Sequence, residues 1–575
     1  MSKGRLKWGF LAALLLALGM VLAACSGGGD GGSGEGDSGS DSASGNDEKS
    51  SENKELADEQ VLHFVRSSDL PSVDPSIATD TTSAEVIGRT HPGLLTFKNK
   101  ELVPEMAAEM PKVSEDGLTY TFKLREGLTW SNGDPLTAED FVFAWQRLID
   151  PDTKSEYAYI MGVANVKNAD KIMNQDSDIY GQVKKLGVKA VDKHTLQVTL
   201  ESPIPYFNSL MTFNKFAPLN KKFVQKQGDK FAKEPENLLT VGPYELTSWD
   251  HGVGWTLEKN PDYYAADEVN ITKATFKVVK ESNTQLSLYK SDEIQMDALS
   301  SEQVDAWQNK PDFKQVPKNC VFYWTLNANN VPEFKNEKVR KAMSMVIDRK
   351  GLTNVLLNNG SIPAQYIVPK GLATGPDGKD FREGVEDYLP GGMEEAKQLW
   401  KEAKEELGID SLEVEYATTD GDVSAQMGEY MANQLEQLEG LKVTIKKLPW
   451  NAYLEYTQND KQDIGAGSGW CPDYKDPMTF LGYWYSENPN TDGLGLDRPK
   501  YDKLIEEARQ LAKEQKPEER WAALKEAEKV LIENAYTIPT YQQGAALVIK
   551  PYVEGIVPQS FGIEYYFREA KVYKH

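Results

Sequence analysis

After the turn pair Asp116-Gly117, the apolar positions Leu118, Tyr120, Phe122 and Leu124 alternate with Thr119, Thr121 and Lys123. That period of two predicts a strand with one buried face. The period then changes. Ser131-Asn132-Gly133-Asp134-Pro135 reads as a turn, and Thr137 with Asp140 three residues on resembles a capping box in which Asp replaces Glu or Gln. Phe141, Trp145 and Leu148 at helical spacing make the buried stripe of the helix that this opens. Farther on, Ala396, Leu399, Trp400, Ala403 and Leu407 fall at helical spacing, with Gly408 placed as a C-terminal cap. A helix from about Gln426 to Glu439 leads into a strand at Leu441–Ile445, and two more helices are predicted over Tyr501–Lys513 and Glu518–Glu533. From Thr537 to Lys574 the chain returns to strands rich in Tyr, Val and Ile. Strand and helix signals alternate along the body, which predicts α/β lobes. No internal repeat and no heptad pattern is present.

The first residues follow another logic. Lys3, Arg5 and Lys7 precede an apolar run from Trp8 to Ala24, the basic and apolar regions of a secretory signal. Leu22-Ala23-Ala24-Cys25 resembles the lipobox of bacterial lipoproteins, which implies a lipidated Cys25 as the first mature residue. The alternative is an uncleaved anchor, for which the run is marginal, since a span needs about 20 apolar residues. From Ser26 to Lys54, Ala43 is the only apolar residue, so the segment lacks the surface to offset its ordering entropy. It reads as a leash with a reach of roughly 30 Å.

Composition narrows the function classes. About 520 residues remain for the body, enough for two or three packed lobes. The formal net charge is −24, and three positive residues leave with the signal. So acidic a surface argues against nucleic acid and against adhesion to anionic lipid by charge alone. With Cys25 committed to lipid, Cys320 and Cys471 are the remaining possible disulfide partners, and two buried free thiols are the alternative. No catalytic constellation emerges. The five histidines lack metal-ligand spacing, and Gly465-Ala466-Gly467-Ser468-Gly469 fails the G-x-S-x-G pattern at Ala466 and the dinucleotide pattern at Trp470. No cofactor and no metal is expected.

One stretch is more specific. Val113-Ser114-Glu115-Asp116-Gly117-Leu118-Thr119-Tyr120-Thr121-Phe122-Lys123-Leu124-Arg125-Glu126-Gly127, followed by Trp130-Ser131-Asn132-Gly133-Asp134-Pro135-Leu136-Thr137-Ala138-Glu139-Asp140-Phe141, closely resembles the signature of the family-5 extracellular solute-binding proteins, the receptors of oligopeptide and dipeptide ABC importers. The likeness continues through Gly242-Pro243-Tyr244, Asn260-Pro261-Asp262-Tyr263-Tyr264 and Asn336 to Ala342, and covers nearly all of the chain after about Gln60. Gly469-Trp470-Cys471-Pro472-Asp473-Tyr474 resembles the ligand-site motif of the oligopeptide-binding members, and the family also has cysteines at the places of Cys320 and Cys471.

The resemblance implies an α/β fold, a two-lobed clamp of the periplasmic-binding-protein type II with an additional small domain. By it, residues 1-24 are the signal, 25-56 the lipid-anchored linker, 57-91, 217-319 and 543-575 lobe I, 92-216 lobe II and 320-542 lobe III. An extended peptide would pair with backbone near Thr79, Asp80 and Thr81 on one lobe and near Gly467, Ser468 and Gly469 on the other, a form of strand addition. Asp473 would hold the ligand's α-ammonium, and Trp470, Tyr157, Trp450 and Tyr541 would supply aromatic contacts. Read without the resemblance, Asp473 anchors a turn between Pro472 and Pro477, and the aromatics are core or surface residues. The run Gln458–Gly469 lacks the arginines that enteric relatives carry for the ligand's carboxylate, and Lys442, Lys446 and Lys461 are candidates to replace them.

The expectation is therefore a monomeric, non-enzymatic oligopeptide receptor, tethered by lipid at the extracytoplasmic face of the cell membrane, that delivers its ligand to ABC importer permease subunits. The same fold binding a dipeptide, signalling peptide, metal chelate, haem or sugar is the first alternative. A secreted hydrolase is the second, and it lacks a nucleophile, base or metal constellation.

Overall fold

The alternating segment forms the strand Thr119–Lys123, with Tyr120 and Phe122 buried. This computed structural model describes residues 55–98, 101–385, 387–467, 469–559 and 563–575. Cys25, the signal and most of the leash, and Ser468 lie outside the described residues. Thr119–Lys123 pairs antiparallel with Thr195–Thr199 and with Lys112–Val113, and Val188–Asp192 completes that sheet. The helix Ala138–Leu148 packs on it and buries Phe141, Trp145 and Leu148. Its first turn is closed as expected: the Thr137 N–H donates to Asp140 Oδ2 at 2.8 Å.

A second sheet joins distant stretches of sequence. Val61–Arg66 runs parallel to Lys273–Val278, which pairs antiparallel with Gly254–Lys259 and through it with Tyr244–Asp250. A third sheet is built on two long antiparallel strands, Phe313–Leu326 and Ile538–Ile549. Beside them, Leu412–Thr419 runs parallel to both Leu441–Leu448 and Ile464–Gly465. The strand predicted over Leu441–Ile445 extends to Leu448 because all eight residues find partners in Leu412–Thr419.

The helix Met393–Leu407 stops at Gly408, whose φ of 66° is the left-handed conformation that glycine adopts without strain. Ala396, Trp400 and Ala403 are buried, whereas Leu407 reaches solvent. The helix predicted over 426–439 is observed at Asp422–Leu435. Asp422 sits in the first turn, where the helix dipole favours a negative charge. Met427, Met431 and Leu435 already complete the buried stripe, and Gly440 at φ 85° turns the chain into the next strand. The last two helices are Pro499–Lys513 and Pro517–Glu533, each with proline in its first turn.

Between Pro317 and Val321 the register of the two long strands shifts, Pro317 facing Gly544 and Val321 facing Gln542. The extra residues form a bulge, which bends the strand. At Gly544 a Cβ would come within 2.3 Å of the Gly360 backbone, so the close approach there requires glycine. Cys320 lies in the bulge and is bonded to Cys471.

Candidate functional site

Gly469–Trp470 is a short strand held against Val321–Phe322, immediately after the bulge. The space a Cβ would take at Gly469 is filled by the Val321 carbonyl at 2.6 Å and the Phe322 ring, so strand pairing itself demands this glycine. Past Cys471 the chain makes a tight loop. Asp473 donates its N–H to Thr479 Oγ1 at 3.0 Å, and Lys475 donates its own to Ser209 Oγ at 3.2 Å. Arg520 grips Asp476 through two bonds of 2.9 and 2.7 Å, both residues being buried. The loop is thus fixed at its entry by a disulfide, at its middle by backbone bonds and at its end by an ion pair.

This framework places the Asp473 carboxyl where only 8% of the residue is exposed. Burial pushes it up to about 8, while the charge of Lys215 and a hydrogen bond from Tyr157 pull it back. Such a group gains most from a cation that arrives with the ligand. Asp473 lines a cavity of about 800 Å³ together with Tyr159, Tyr206, Tyr474, Tyr483 and Arg520. Aromatic rings wall the approach: Trp470 stacks on Tyr157 at 6.3 Å and meets Tyr483 at 4.5 Å, and Tyr206 stacks on Tyr474 at 4.7 Å. The Trp470 Nε1 is buried without a hydrogen-bond partner.

The other expected residues fall in three places. Asp80 caps the helix Thr81–Thr90, its Oδ1 accepting from Ser83 N at 2.9 Å, while its buried Oδ2 has no partner. Thr79 Oγ1 accepts from Gln458 Nε2 at 3.3 Å, which brings residue 79 against the end of the helix Trp450–Gln458. That helix begins with Trp450, stacked on Tyr453 at 6.0 Å, and the Tyr453 hydroxyl accepts from Gly467 N at 2.8 Å. Tyr541 is buried on the strand Ile538–Ile549 and stacks on Phe322 at 4.7 Å. Tyr157, Trp470 and Asp473 are therefore in mutual reach, Thr79 touches the far end of the helix that Trp450 begins, and Tyr541 stands behind Phe322. Of this set Asp473 is the residue that lines the cavity. Lys446 is engaged by Glu415 at 3.1 Å and by the Tyr456 hydroxyl at 3.0 Å, which removes it as a free cation for a ligand carboxylate.

The sequence reading missed Lys215, Tyr159 and Tyr483. Two of these are tyrosines among 26, and nothing in the pattern marks them. Lys215 carried a signal: it is a cation between Phe213 and Phe216, in a segment otherwise apolar or uncharged. Among the described residues, no group of acidic, His or Cys side chains has the arrangement of a metal site.

Residues 101–492 match the family of bacterial extracellular solute-binding proteins, family 5. The chain belongs to that family. Its members bind solutes and are not enzymes, and this solute-binding protein has the family's α/β fold, the two-lobed type II clamp. Its structure is similar to that of the substrate-binding domain of an oligopeptide ABC transporter from Bacillus anthracis str. Ames, with a TM-score of 0.84 and 38% identity, covering 91% of this chain and 100% of that one. Listeria monocytogenes OppA bound to peptide gives a TM-score of 0.84 at 34% identity, covering 90% of this chain and 100% of that one. The dipeptide-binding protein DppE of Bacillus subtilis is 31% identical over 522 residues, 90% of this solute-binding protein and 92% of that relative. Among the described residues no helix is long and apolar enough to cross a membrane.

Proposed function

We propose that this solute-binding protein is the lipid-anchored, extracytoplasmic receptor of a peptide ABC importer, and that it captures peptides through their backbone and α-amino group. The observation that carries the reading is the buried Asp473 carboxyl, set among aromatic rings beside a cavity large enough for a side chain. At neutral pH an α-amino group, titrating near 7.7–8.0, is largely a cation, and a charge-assisted bond in so dry a site is strong. Relatives described as peptide-bound and dipeptide-binding support a peptide as the ligand. On this reading the peptide runs past Thr79–Thr81 and Gly467–Gly469, touches Tyr157, Trp470, Trp450 and Tyr541, and puts its first side chain toward the cavity. Lobe I comprises 57-91, 217-319 and 543-575, lobe II 92-216 and lobe III 320-542, and the lobes close by hinge motion over the ligand. Cys25 carries the lipid, the leash lets a monomer reach the permease, and the permease takes the peptide.

Calorimetry on four combinations tests the central contact: native protein and Asp473→Ala, each with a free peptide and its N-acetylated form. Removing one partner of a buried pair costs about 3–5 kcal/mol. Affinity for the free peptide is therefore expected to drop by roughly two to four orders of magnitude in the variant. Acetylation should weaken binding to the native protein and change binding to the variant far less. Additive losses would mean that another group reads the amine. Mass spectrometry of ligands that copurify with the native protein identifies the ligand class independently.

A further inference from the structure

Lys215 is 4% exposed. A buried ammonium is expensive unless its protons find acceptors. Here Nζ donates to the carbonyl of Pro75 at 2.8 Å and to that of Ala78, both in the loop that leads into the helix Thr81–Thr90. It also lies 4.9 Å from the centroid of the Tyr157 ring, a cation–π contact in a dry setting. Tyr157 in turn favours the carboxylate form of Asp473. Lys215, Tyr157 and Asp473 thus form a line of neighbours that starts at the 75–78 loop.

We infer that Lys215 is a positioning residue of the amine site: its ammonium, fixed on the 75–78 loop beneath Tyr157, supports the carboxylate form of Asp473 and so makes a cationic amine the group that the site selects. The inference rests on the reading that Asp473 takes the ligand's ammonium. The charges around the line agree with it. Asp74, Asp473, Asp80 and Glu156 all favour the charged form of Lys215, against a burial that pulls it down to about 8. Asp74 is already held by Arg147 through bonds of 2.8 and 2.7 Å. That leaves Asp80, Glu156 and Asp473 facing one lysine, so acidic groups outnumber cations around it. Around Asp473 itself, the remaining titratable neighbours are the hydroxyls of Tyr157, Tyr159 and Tyr474, which its charge drives further toward their neutral forms. Without Lys215, nothing charged would oppose the effect of burial on Asp473, and its proton would be held more tightly against an arriving ammonium. Below about pH 8, ligand binding breaks the Asp473 O–H bond, the carboxylate keeps the electron pair, and the proton leaves to the buffer.

The test is titration calorimetry with tri-alanine and N-acetyl-tri-alanine, from about pH 6 to about pH 9, in buffers of different ionisation heat. Native protein, Lys215→Met, Lys215→Arg and Asp473→Asn are compared. The native protein is expected to release a proton when it binds tri-alanine at pH 7. Lys215→Met should weaken tri-alanine about tenfold or more at that pH, since each unit of further rise in Asp473 is one factor of ten. It should also move the rising limb of affinity against pH upward, and leave N-acetyl-tri-alanine within about twofold. Lys215→Arg, which keeps the charge, should keep the limb. Equal weakening of both peptides with an unmoved limb would reduce Lys215 to a loop support and overturn the inference. So would tighter binding of tri-alanine by Lys215→Met. Should that variant fail to fold, a displaced limb in Lys215→Arg overturns it equally. If Asp473→Asn leaves the preference for tri-alanine over its acetylated form intact, the amine reading itself fails. If only the lysine variants behave as the native protein does, that reading stands and the role of Lys215 falls alone.

Discussion

Burial raises the Asp473 carboxyl to about 8, far above the value near 3.9 of an exposed aspartate, and the stability of the empty protein must carry that difference. Below about pH 4 the group is protonated in both folded and unfolded chains and contributes nothing. Between about pH 4 and pH 8 the unfolded chain gives up its proton while the native one keeps it, so native stability falls as pH rises, and above about pH 8 both are ionised and the loss levels off. Asp473→Asn cannot titrate. Its melting temperature, measured without ligand, should gain on the native protein between about pH 4 and pH 8 and run parallel to it above. A constant offset at all pH values would show that the carboxyl is not dehydrated in the empty site. The same substitution is expected to weaken peptide binding, so at this residue stability and function oppose each other.

The loop that presents Asp473 depends on elements far away in sequence. Arg520, on the helix Pro517–Glu533, holds Asp476, and Cys320, on the strand Phe313–Leu326, holds Cys471. Arg520→Met leaves the buried Asp476 carboxylate without its partner and is expected to destabilise the fold by about 3–5 kcal/mol in denaturant titration. Replacing both Cys320 and Cys471 by Ser should cost about 2–5 kcal/mol, and peptide mapping of native protein without reductant should recover the two cysteines joined. Trp400, buried on the helix Met393–Leu407 with its Nε1 donating to the Glu439 carbonyl at 2.8 Å, serves as a comparison remote from the site. Trp400→Ala should lower stability by about 3–5 kcal/mol through the cavity it leaves, with no change in peptide affinity at temperatures where the variant is folded. If Trp400→Ala altered affinity as strongly as Arg520→Met, loop positioning would not be the reason for either effect.

At the scale of the molecule, contacts tie the parts of the clamp together. Lys280 meets Asp420 at 3.0 Å and Ser282 donates to Asp422 at 2.6 Å, joining the region of the second sheet to that of the third. Thr79 and Gln458 add a further link beside the site. The ion pair is half-exposed and worth little by itself, so closure should depend on the ligand bridging the site rather than on these contacts. Anchoring is a separate matter. Cys25→Ser is expected to release the protein into the soluble fraction of cells while peptide affinity stays the same, because the leash carries no surface with which to pack. Loss of binding in the soluble variant would show that the leash takes part in the fold.

The sequence by itself determined what depends on neighbours a few residues apart. The alternation at Leu118–Leu124 became a half-buried strand, Thr137 and Asp140 closed a helix start, and Gly408 ended a helix, because pleat, cap and left-handed turn are local geometry. Helix limits around 422–435 were displaced, since the stripe of Met427, Met431 and Leu435 shows where a helix packs but not which turn comes first. Asp473 was proposed from the resemblance of a contiguous motif, and the count of cysteines left Cys320 and Cys471 as the candidates for the one bond that is seen. Tertiary structure alone decided that Lys215, some 260 residues earlier in the chain, stands behind Tyr157 and acts on Asp473. It also decided that Gly469 answers to the Val321 carbonyl, and that Arg520 holds the loop. Electrostatics in a dry interior depends on distance and burial, and neither is written in the spacing of residues along a chain.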